Sequence, residues 1–532
     1  MEVSVIGSSQ ATVCTSELVH GEQRFCVPRR RSSVSFFHPG TRWSNSGLRF
    51  TLNAIQAEPF RSDNLSIRGC ASRSKSLDDV RLFVGLPFDA VSECNTINHA
   101  KAISAGLKAL KLLGVEGVEM PVWWGIAEKE AMGKYKWEGY LTLAEMVQDA
   151  GLKLHVSLCF HANEELKIPL PEWVSRIGES DPGIFFADRS GHHFRECLSL
   201  AVDDLPVLDG KTPVQVYQQF CKSFKSSFSG FMGSTIIGIK MGLGPNGELR
   251  FPSHSRVGKS CKILGVGEFQ CYDKNMLNFL KQHAEATGNP LWGFGGPHDA
   301  PSYDQMPNSN SFFKDHGGSW ESPYGNFFLS WYSSQLLSHG NRLLSLASDE
   351  FGGSTVTTYG EVPLIHSLFK TRSHPCELTA GFYNTDNRDG YEAVAEMFAR
   401  NSCKMILPGM NLSDEHQPQE SLSSPELLLA QIRTACRKYG VVVSGQNSLV
   451  SKASHHFEKM RKNVLGENVV DSFTYQRMGA EFFSPEHFPA FTEFVRSLNL
   501  PEKHADDLPE EEEEVAESLQ RSSESSIQMQ AA

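Results

Sequence analysis

The sequence contains no run of eighteen or more apolar residues and no excess of basic charge. A helix needs about 20 consecutive apolar residues to cross a bilayer, so no membrane span is expected. Lys and Arg number 50 against 62 Asp and Glu, which leaves a formal net charge of −12. Proteins that bind nucleic acid usually carry a basic face. We therefore expect neither a membrane nor a nucleic acid as partner.

Motifs that hold metals, disulfides or nucleotide phosphates are also missing. The 12 cysteines are dispersed, with no CxxC pair and no His/Cys cluster at metal-ligand spacing. This pattern is typical of reduced, mostly buried thiols rather than a disulfide framework. No GxGxxG or GxxxxGKS/T segment follows a predicted strand. The sequence therefore predicts no metal site and no cofactor.

The two ends of the chain differ in composition from the middle. Residues 1–75 are rich in Ser and Arg, poor in acidic residues and without apolar periodicity. This composition is typical of an organelle transit peptide, with a disordered regulatory tail as the alternative. Residues 501–532 contain an acidic run and a Ser/Gln-rich finish, which indicate a solvated, disordered tail. The folded domain is therefore expected within residues 76–500.

Short β-rich runs alternate with helical patterns across this middle part. Eight of them are predicted strands: VRLFVGLP, GVEMPVWWG, LKLHVSLCFH, IIGIKMG, GSTVTTYGE, CKMILPG, YGVVVSG and DSFTYQRM. Near-continuous apolar strands separated by helices imply a parallel sheet that is covered on both faces. Eight such units fit an α/β fold of the (β/α)₈ TIM-barrel type, with long loops at the C-terminal face, better than an open sheet. Ligands of such barrels contact the loops that follow the strands.

Several residues at the predicted strand ends are suited to carbohydrate chemistry. Trp123 and Trp124 follow the second strand, where paired indoles either stack on sugars or, more commonly, belong to the core. His161 ends the third run. Glu248 lies in GLGPNGELRFPS, a loop constrained by glycines and a proline, with Arg250 nearby. This setting indicates a positioned general acid, although a solvated loop carboxylate is the simpler interpretation.

Five segments together resemble the plant β-amylases, which are glycoside hydrolases that remove maltose from the non-reducing ends of starch chains. They are VWWGIAE, GLGPNGELRFPS, FFLSWYSSQLLSHG, ELTAGFYNTDNRDGY and FTYQRMG, in that order. The resemblance covers about residues 79–500 and implies a (β/α)₈ barrel. That implication agrees with the strand pattern.

The resemblance also implies an inverting mechanism with two carboxyl groups. One protonates the leaving oxygen, and the other activates water from about 6.5–9.5 Å away. Glu248 matches the family's acid, whereas the family's base, a glutamate within Gly-Glu-Asn, is replaced by Gln446. An amide oxygen accepts a hydrogen bond from water but cannot take up its proton near neutral pH. Loss of a general base alone costs a factor of about 10² to 10⁴ in rate.

Other family features are missing as well. The flexible lid is cut to residues 162–167, which would weaken closure over a substrate. The resemblance implies that this chain has also lost family residues that bind the substrate, form the inner loop or lie near the cleaved bond. The residues that replace them are Pro121, Glu361, Ser367, Leu368, Pro408, Gly409 and Asn411. Positions that still match the family's substrate cleft are Asp89, Trp123, His161, Glu248, Asn447 and Arg477. Because an acid without its base cannot complete the cycle, Glu248 is expected to serve hydrogen bonding rather than catalysis.

These features predict an inactive β-amylase-like protein of the plastid, in the chloroplast stroma. It would regulate or support starch breakdown by binding an α-1,4-glucan or maltooligosaccharide, or by binding an active amylase. The alternative is a weak maltose-releasing hydrolase in which Glu361 or Glu165 replaces the base.

Overall fold

The computed structural model describes residues 80–254, 265–353, 355–448, 455–465 and 470–498. The two expected tails, residues 1–75 and 501–532, lie outside these residues. No helix in the described ranges is both long and apolar enough to cross a membrane.

Eight parallel strands form a closed barrel at the centre of the fold, as the sequence predicts. The described residues contain ten strands in all. Numbered along the chain, they are β1 Arg81–Gly85, β2 Gly117–Trp123, β3 Lys153–Cys159, β4 Phe185–Ala187, β5 His193–Leu198, β6 Ile236–Met241, β7 Thr357–Glu361, β8 Lys404–Leu407, β9 Val443–Gln446 and β10 Ser472–Tyr475. Of these, β4 and β5 lie outside the barrel. The order around the barrel is β1, β10, β9, β8, β7, β6, β3 and β2. Pairing of β1 with both β2 and β10 closes the sheet, so the (β/α)₈ prediction is confirmed.

Twelve α-helices occur in the described residues, and most of them cover the outside of the barrel. They are α1 Ala100–Leu113, α2 Trp124–Ala127, α3 Glu138–Asp149, α4 Glu172–Ser180, α5 Pro213–Ser227, α6 Lys274–Ala286, α7 Pro323–Phe351, α8 Pro375–Ala380, α9 Tyr391–Arg400, α10 Pro425–Tyr439, α11 His455–Leu465 and α12 His487–Leu498. Helix α1 buries Ile103, Leu107 and Leu110 on one face, the spacing expected of a helix that packs on a sheet. It ends where Gly114 takes a φ of 90°, which glycine adopts without strain.

A two-stranded antiparallel sheet between β3 and α5 was not predicted from the sequence. It pairs β4 with β5, for example Ala187 with His193. Strand β5 reads HFRECL and is only partly buried, so it lacks the apolar run that marks the barrel strands. This hairpin lies beside the third-strand loop, because the backbone N–H of Ala162 donates to the carbonyl oxygen of Glu196 over 2.6 Å.

The barrel interior is filled by side chains. Phe83 of β1 stacks on His155 of β3 with 3.8 Å between the ring centroids. Gly238 of β6 makes room for that imidazole, since a Cβ there would lie 2.6 Å from a carbon of the ring. Burial lowers the pKa of His155 to about 3, so the ring is neutral. A packed interior leaves the strand C-termini as the place for a site.

Candidate functional site

The predicted site residues all follow or end barrel strands, so the parallel topology brings them to one face of the barrel. Trp123 ends β2 and packs edge-on against His161, with ring centroids 5.2 Å apart. The Trp123 indole N–H donates to the carbonyl oxygen of Phe88 over 2.8 Å. The next residue, Asp89, is half-buried, and its carbonyl oxygen accepts from the amide of Asn98 over 2.6 Å.

Gln446 is the last residue of β9 and is 4% exposed. Its backbone pairs with Thr474 of β10, and its carbonyl oxygen accepts from the N–H of Met410 over 2.9 Å. The inverting base is expected at this position, and a buried amide stands there instead. A glutamine can hold a water molecule at such a place but cannot remove its proton.

Asn447 uses its side chain to join two strand ends. Its amide nitrogen donates to the carbonyl oxygen of Gln476 over 2.8 Å, and its oxygen accepts from the N–H of Gln476 over 2.7 Å. Both ends of the Asn447 side chain therefore hold the segment after β10, next to Arg477. The geometry gives this asparagine a structural role in the strand-end loops.

Glu248 follows a short turn over Pro245–Gly247 and is partly buried. The Arg250 guanidinium donates through Nε to Oε2 of Glu248 over 2.6 Å. Such a charge-assisted hydrogen bond is among the stronger ones in proteins, and it occupies one carboxyl oxygen of Glu248. Glu248, which the resemblance predicts to match the family's acid, therefore takes part in an ion pair within its own loop.

Glu361 ends β7 beside Glu248, since the backbone N–H of Leu249 donates to the Glu361 carbonyl oxygen over 2.9 Å. Its carboxylate accepts from Lys240 Nζ over 2.7 Å. Burial raises the pKa of Glu361, as does the Glu248 charge, against the opposing effect of Lys240. The alternative base is thus buried and bonded to a lysine.

Glu119 of β2 is a buried acid that sequence reasoning missed. Its Oε1 lies 3.4 Å from Lys240 Nζ, and its Oε2 accepts from Gln476 Nε2 over 2.7 Å. Ser157 Oγ donates to Oε1 as well. Although burial acts to raise it, the charges of Lys240 and Arg477 hold the pKa of Glu119 down at about 2. The available signal was a lone acid within the otherwise apolar strand GVEMPVW.

The shortened lid is a tight turn closed by its own backbone. Asn163 and Ile168 exchange hydrogen bonds of 2.7 and 3.0 Å across it. The Asn163 side-chain oxygen also accepts from the N–H of Leu166 over 3.0 Å. Glu165, the other alternative base, is exposed on this turn. A turn of this length presents little surface with which to cover a substrate.

Glu196 of β5 is a second titratable group that the sequence did not indicate. Burial and the charge of Glu164 on the turn raise the pKa of Glu196 to about 7, while Arg250 acts in the opposite direction. The turn, the β4–β5 hairpin and the Glu248 loop therefore lie within electrostatic reach of one another.

The inner loop after β8 is held by three hydrogen bonds. The N–H of fully buried Met410 donates to Gln446, and its carbonyl oxygen accepts from Asn463 Nδ2 over 2.9 Å. The Asn411 side-chain oxygen accepts from the N–H of Ser448 over 2.7 Å. These bonds tie the loop to the end of β9 and to α11 in one position.

Three of the six sugar-contact positions expected from the family resemblance are buried. Trp123 is 1% exposed, His161 4% and Asn447 7%. Burial lowers the pKa of His161 to about 3, with further lowering by the charges of Lys240 and Arg250. Burial likewise lowers the pKa of Arg477 to about 10, which leaves it charged at neutral pH. Its guanidinium carbon lies 3.3 Å from the centre of the Phe88 ring.

No group of three or more His, Cys, Asp or Glu side chains in the described ranges is arranged to hold a metal ion. The structure is a closed (β/α)₈ barrel in which two carboxyl groups at the strand ends, Glu248 and Glu361, are bonded to cations. The family model of glycosyl hydrolase family 14 matches residues 83–504. The chain belongs to this family, and the resemblance to β-amylases is confirmed.

Relatives place the chain more closely within the family. It is 58% identical over 97% of both chains to a protein named inactive beta-amylase 9 of Arabidopsis thaliana. It is 38% identical to inactive beta-amylase 4, chloroplastic, of the same plant, over 79% of this chain and 82% of that one. The crystal structure of the catalytic domain of beta-amylase from Paenibacillus polymyxa superposes with a TM-score of 0.65 at 25% identity, over 80% of this chain and 99% of that one. The relatives named inactive confirm the prediction of an inactive family member.

Proposed function

We propose that the chain is a non-catalytic β-amylase-like protein of plastids that regulates or supports starch breakdown. The observation that carries this proposal is Gln446, a buried amide at the end of β9 where an inverting amylase requires a proton-accepting carboxylate. The barrel is complete without that carboxylate, since a fold does not depend on the chemistry it carries. Such a barrel serves as a binding scaffold.

The remaining carboxylates support this proposal. Glu248 is bonded to Arg250, and Glu361 to Lys240. An inverting pair needs one carboxyl group that carries a proton and one ionised group with room for a water between them. Gln446 cannot be ionised, so the pair lacks its base, and both remaining carboxyl groups are bonded to cations of the protein. We therefore assign Glu248 and Gln446 to the former catalytic positions without turnover.

We place the protein in the chloroplast stroma. Residues 1–75 have the composition of a transit peptide, and a relative of 38% identity is named chloroplastic. The domain limits that we propose are 1–75 for the transit segment, 76–500 for the barrel and 501–532 for the acidic tail. Its partners would be an α-1,4-glucan or an active amylase of starch breakdown.

The test of the proposed function is maltose release from soluble starch by the purified protein. We expect no release above a heat-inactivated sample, while a hydrolytically active family member in the same buffer supplies the positive control. Turnover within a factor of about ten of that control would contradict the loss of a group worth about 10² to 10⁴ in rate.

A weak hydrolase is the second candidate, because Glu361 lies beside Glu248 and has a raised pKa. If Glu361 acts as the base, Glu361→Gln abolishes a residual maltose signal that Gln446→Glu leaves unchanged. If the first proposal holds, there is no residual signal for Glu361→Gln to remove.

Affinity purification from a plastid extract separates the two kinds of partner. The purified fraction is assayed for starch-degrading activity, and a parallel sample is washed with excess soluble maltooligosaccharide, which competes off enzymes carried on starch. Retention of an amylase after the wash supports a protein partner. Recovery of no starch-degrading enzyme counts against that part of the proposal.

A further inference from the structure

The side chain of Phe88 covers two of the family-matching sugar positions at once. Phe88 follows β1, and its ring centre lies 3.3 Å from the guanidinium carbon of Arg477 and 6.1 Å from the ring centre of Trp123. Arg477 also donates to the carbonyl oxygen of Leu86 in the same segment. The segment after β1 therefore binds both the cation from the β10 loop and the indole from β2.

The indole N–H of Trp123 and the face of the Arg477 guanidinium are thereby engaged within the protein. The Trp123 N–H donates to the Phe88 carbonyl oxygen, and the face of the Arg477 guanidinium lies against the Phe88 ring. A sugar needs such faces and N–H groups to be accessible, because it binds by stacking and by hydrogen bonds to hydroxyls. Trp123 at 1% exposure offers almost no surface of this kind.

Two polar atoms nearby are left without partners by this arrangement. Nδ1 of His161 and Nε of Arg477 are both buried and make no hydrogen bond. Buried polar atoms normally have a hydrogen-bond partner. Two unpaired ones therefore indicate a place where a polar group of a ligand would bind if the Phe88 ring were removed. Both belong to the family-matching set, and both lie around the ring contacts of Phe88 and Trp123.

We propose that Phe88 closes the former sugar cleft from within and keeps α-glucans out of the barrel. Its ring takes the face of Arg477 that would border a bound sugar, so the barrel mouth is filled by the chain itself. Any glucan or enzyme partner then contacts a surface outside this cleft. The proposal rests on the assignment of Trp123, His161 and Arg477 to the sugar cleft. It is independent of whether the protein hydrolyses starch.

The test is calorimetric titration of maltotetraose into the full-length protein, its Phe88→Ala variant and its Phe88→Leu variant. The alanine keeps the carbonyl oxygen that Trp123 binds and removes only the ring. We expect no measurable binding by the wild type. Phe88→Ala is expected to bind at least about tenfold more tightly than the weakest affinity the titration detects, as removal of one partly desolvated cation–π contact allows. Phe88→Leu keeps the apolar packing and is expected to fall between the two.

The matched control is Phe294→Ala, which removes an aromatic ring that is 84% exposed in the segment after α6. It is expected to titrate as the wild type does. Thermal melting checks that each variant is folded, and Phe88→Leu decides the matter if Phe88→Ala does not fold. Equal affinity of the wild type and the Phe88 variants, including no binding by any of them, would overturn the proposal. A gain in Phe294→Ala as large as that in Phe88→Ala would overturn it too.

Neither outcome depends on the proposed function. Maltose release decides whether the protein is an enzyme, whereas the titration decides whether its own side chain fills the cleft. If the wild-type protein releases no maltose but binds maltotetraose as tightly as the Phe88 variants do, the proposed closure by Phe88 is refuted and the proposed function stands.

Discussion

Gln446→Glu puts back the glutamate that the family has at this position. We expect this substitution to restore no activity and to destabilise the fold. Gln446 is 4% exposed, and burial of a carboxylate raises its pKa, by up to about 3–5 units for a fully buried group. One unit corresponds to about 1.4 kcal/mol. A rise of about two units would lower the free energy of unfolding by about 3 kcal/mol at pH 7.

The sign of the pH dependence follows from that rise. Below the unfolded-state pKa of glutamate, about 4.3, the new group is protonated in both states and the variant is as stable as the wild type. Between that value and the raised folded-state pKa the folded protein binds more protons, so the free energy of unfolding decreases as the pH rises. Above the folded-state pKa the loss is complete and constant.

The assay is urea unfolding of wild type and Gln446→Glu at several pH values from 4 to 8, together with maltose release. Gln282→Glu, at an exposed position of α6, is the matched control and is expected to stay close to the wild type at every pH. A Gln446→Glu variant with pH-independent stability would refute the burial argument. Recovery of hydrolysis near that of an active family member would refute the view that the lid, Arg250 and Lys240 contribute to the loss.

Two further substitutions test the barrel interior. Lys240→Met removes the cation that lies 2.7 Å from Glu361 and 3.4 Å from Glu119, and leaving buried carboxylates unpaired should lower the free energy of unfolding by about 3–5 kcal/mol in urea titrations. Gly238→Ala places a Cβ 2.6 Å from a ring atom of His155, and overpacking of this kind should cost about 1–3 kcal/mol in the same measurement.

Each of these two substitutions has a matched control, in which the same change is made at an exposed or uncrowded position. Lys222→Met removes a lysine whose side chain is 57% exposed, and Gly230→Ala adds a Cβ that meets no atom within 4 Å. Both are expected to change the free energy of unfolding by about 0.5 kcal/mol or less. If Lys240→Met or Gly238→Ala costs no more than its matched control, the interior contact in question does not stabilise the fold.

The unpredicted features of the site are long-range contacts between polar side chains. Lys240 and Glu361 are 121 residues apart, and Glu119 and Gln476 are 357 apart. Spacing along a sequence does not indicate such pairs, since they form only when the closed barrel brings strand ends together. The β4–β5 hairpin was missed for a local reason: its partly exposed strand β5 lacks an apolar run.

The sequence by itself determined the barrel and the loss of the base. Eight apolar runs alternating with helical patterns are local features that can be read from the sequence. The resemblance to β-amylases identifies Gln446, in the Gly-Gln-Asn segment, as the residue at the position of the base. Only the tertiary structure decided how the remaining polar groups are used. It pairs Glu248 with Arg250, joins Asn447 to the backbone of Gln476 and places Phe88 on Arg477. These pairings depend on burial, where a polar group must find a partner within the protein, and burial is a property of the assembled fold.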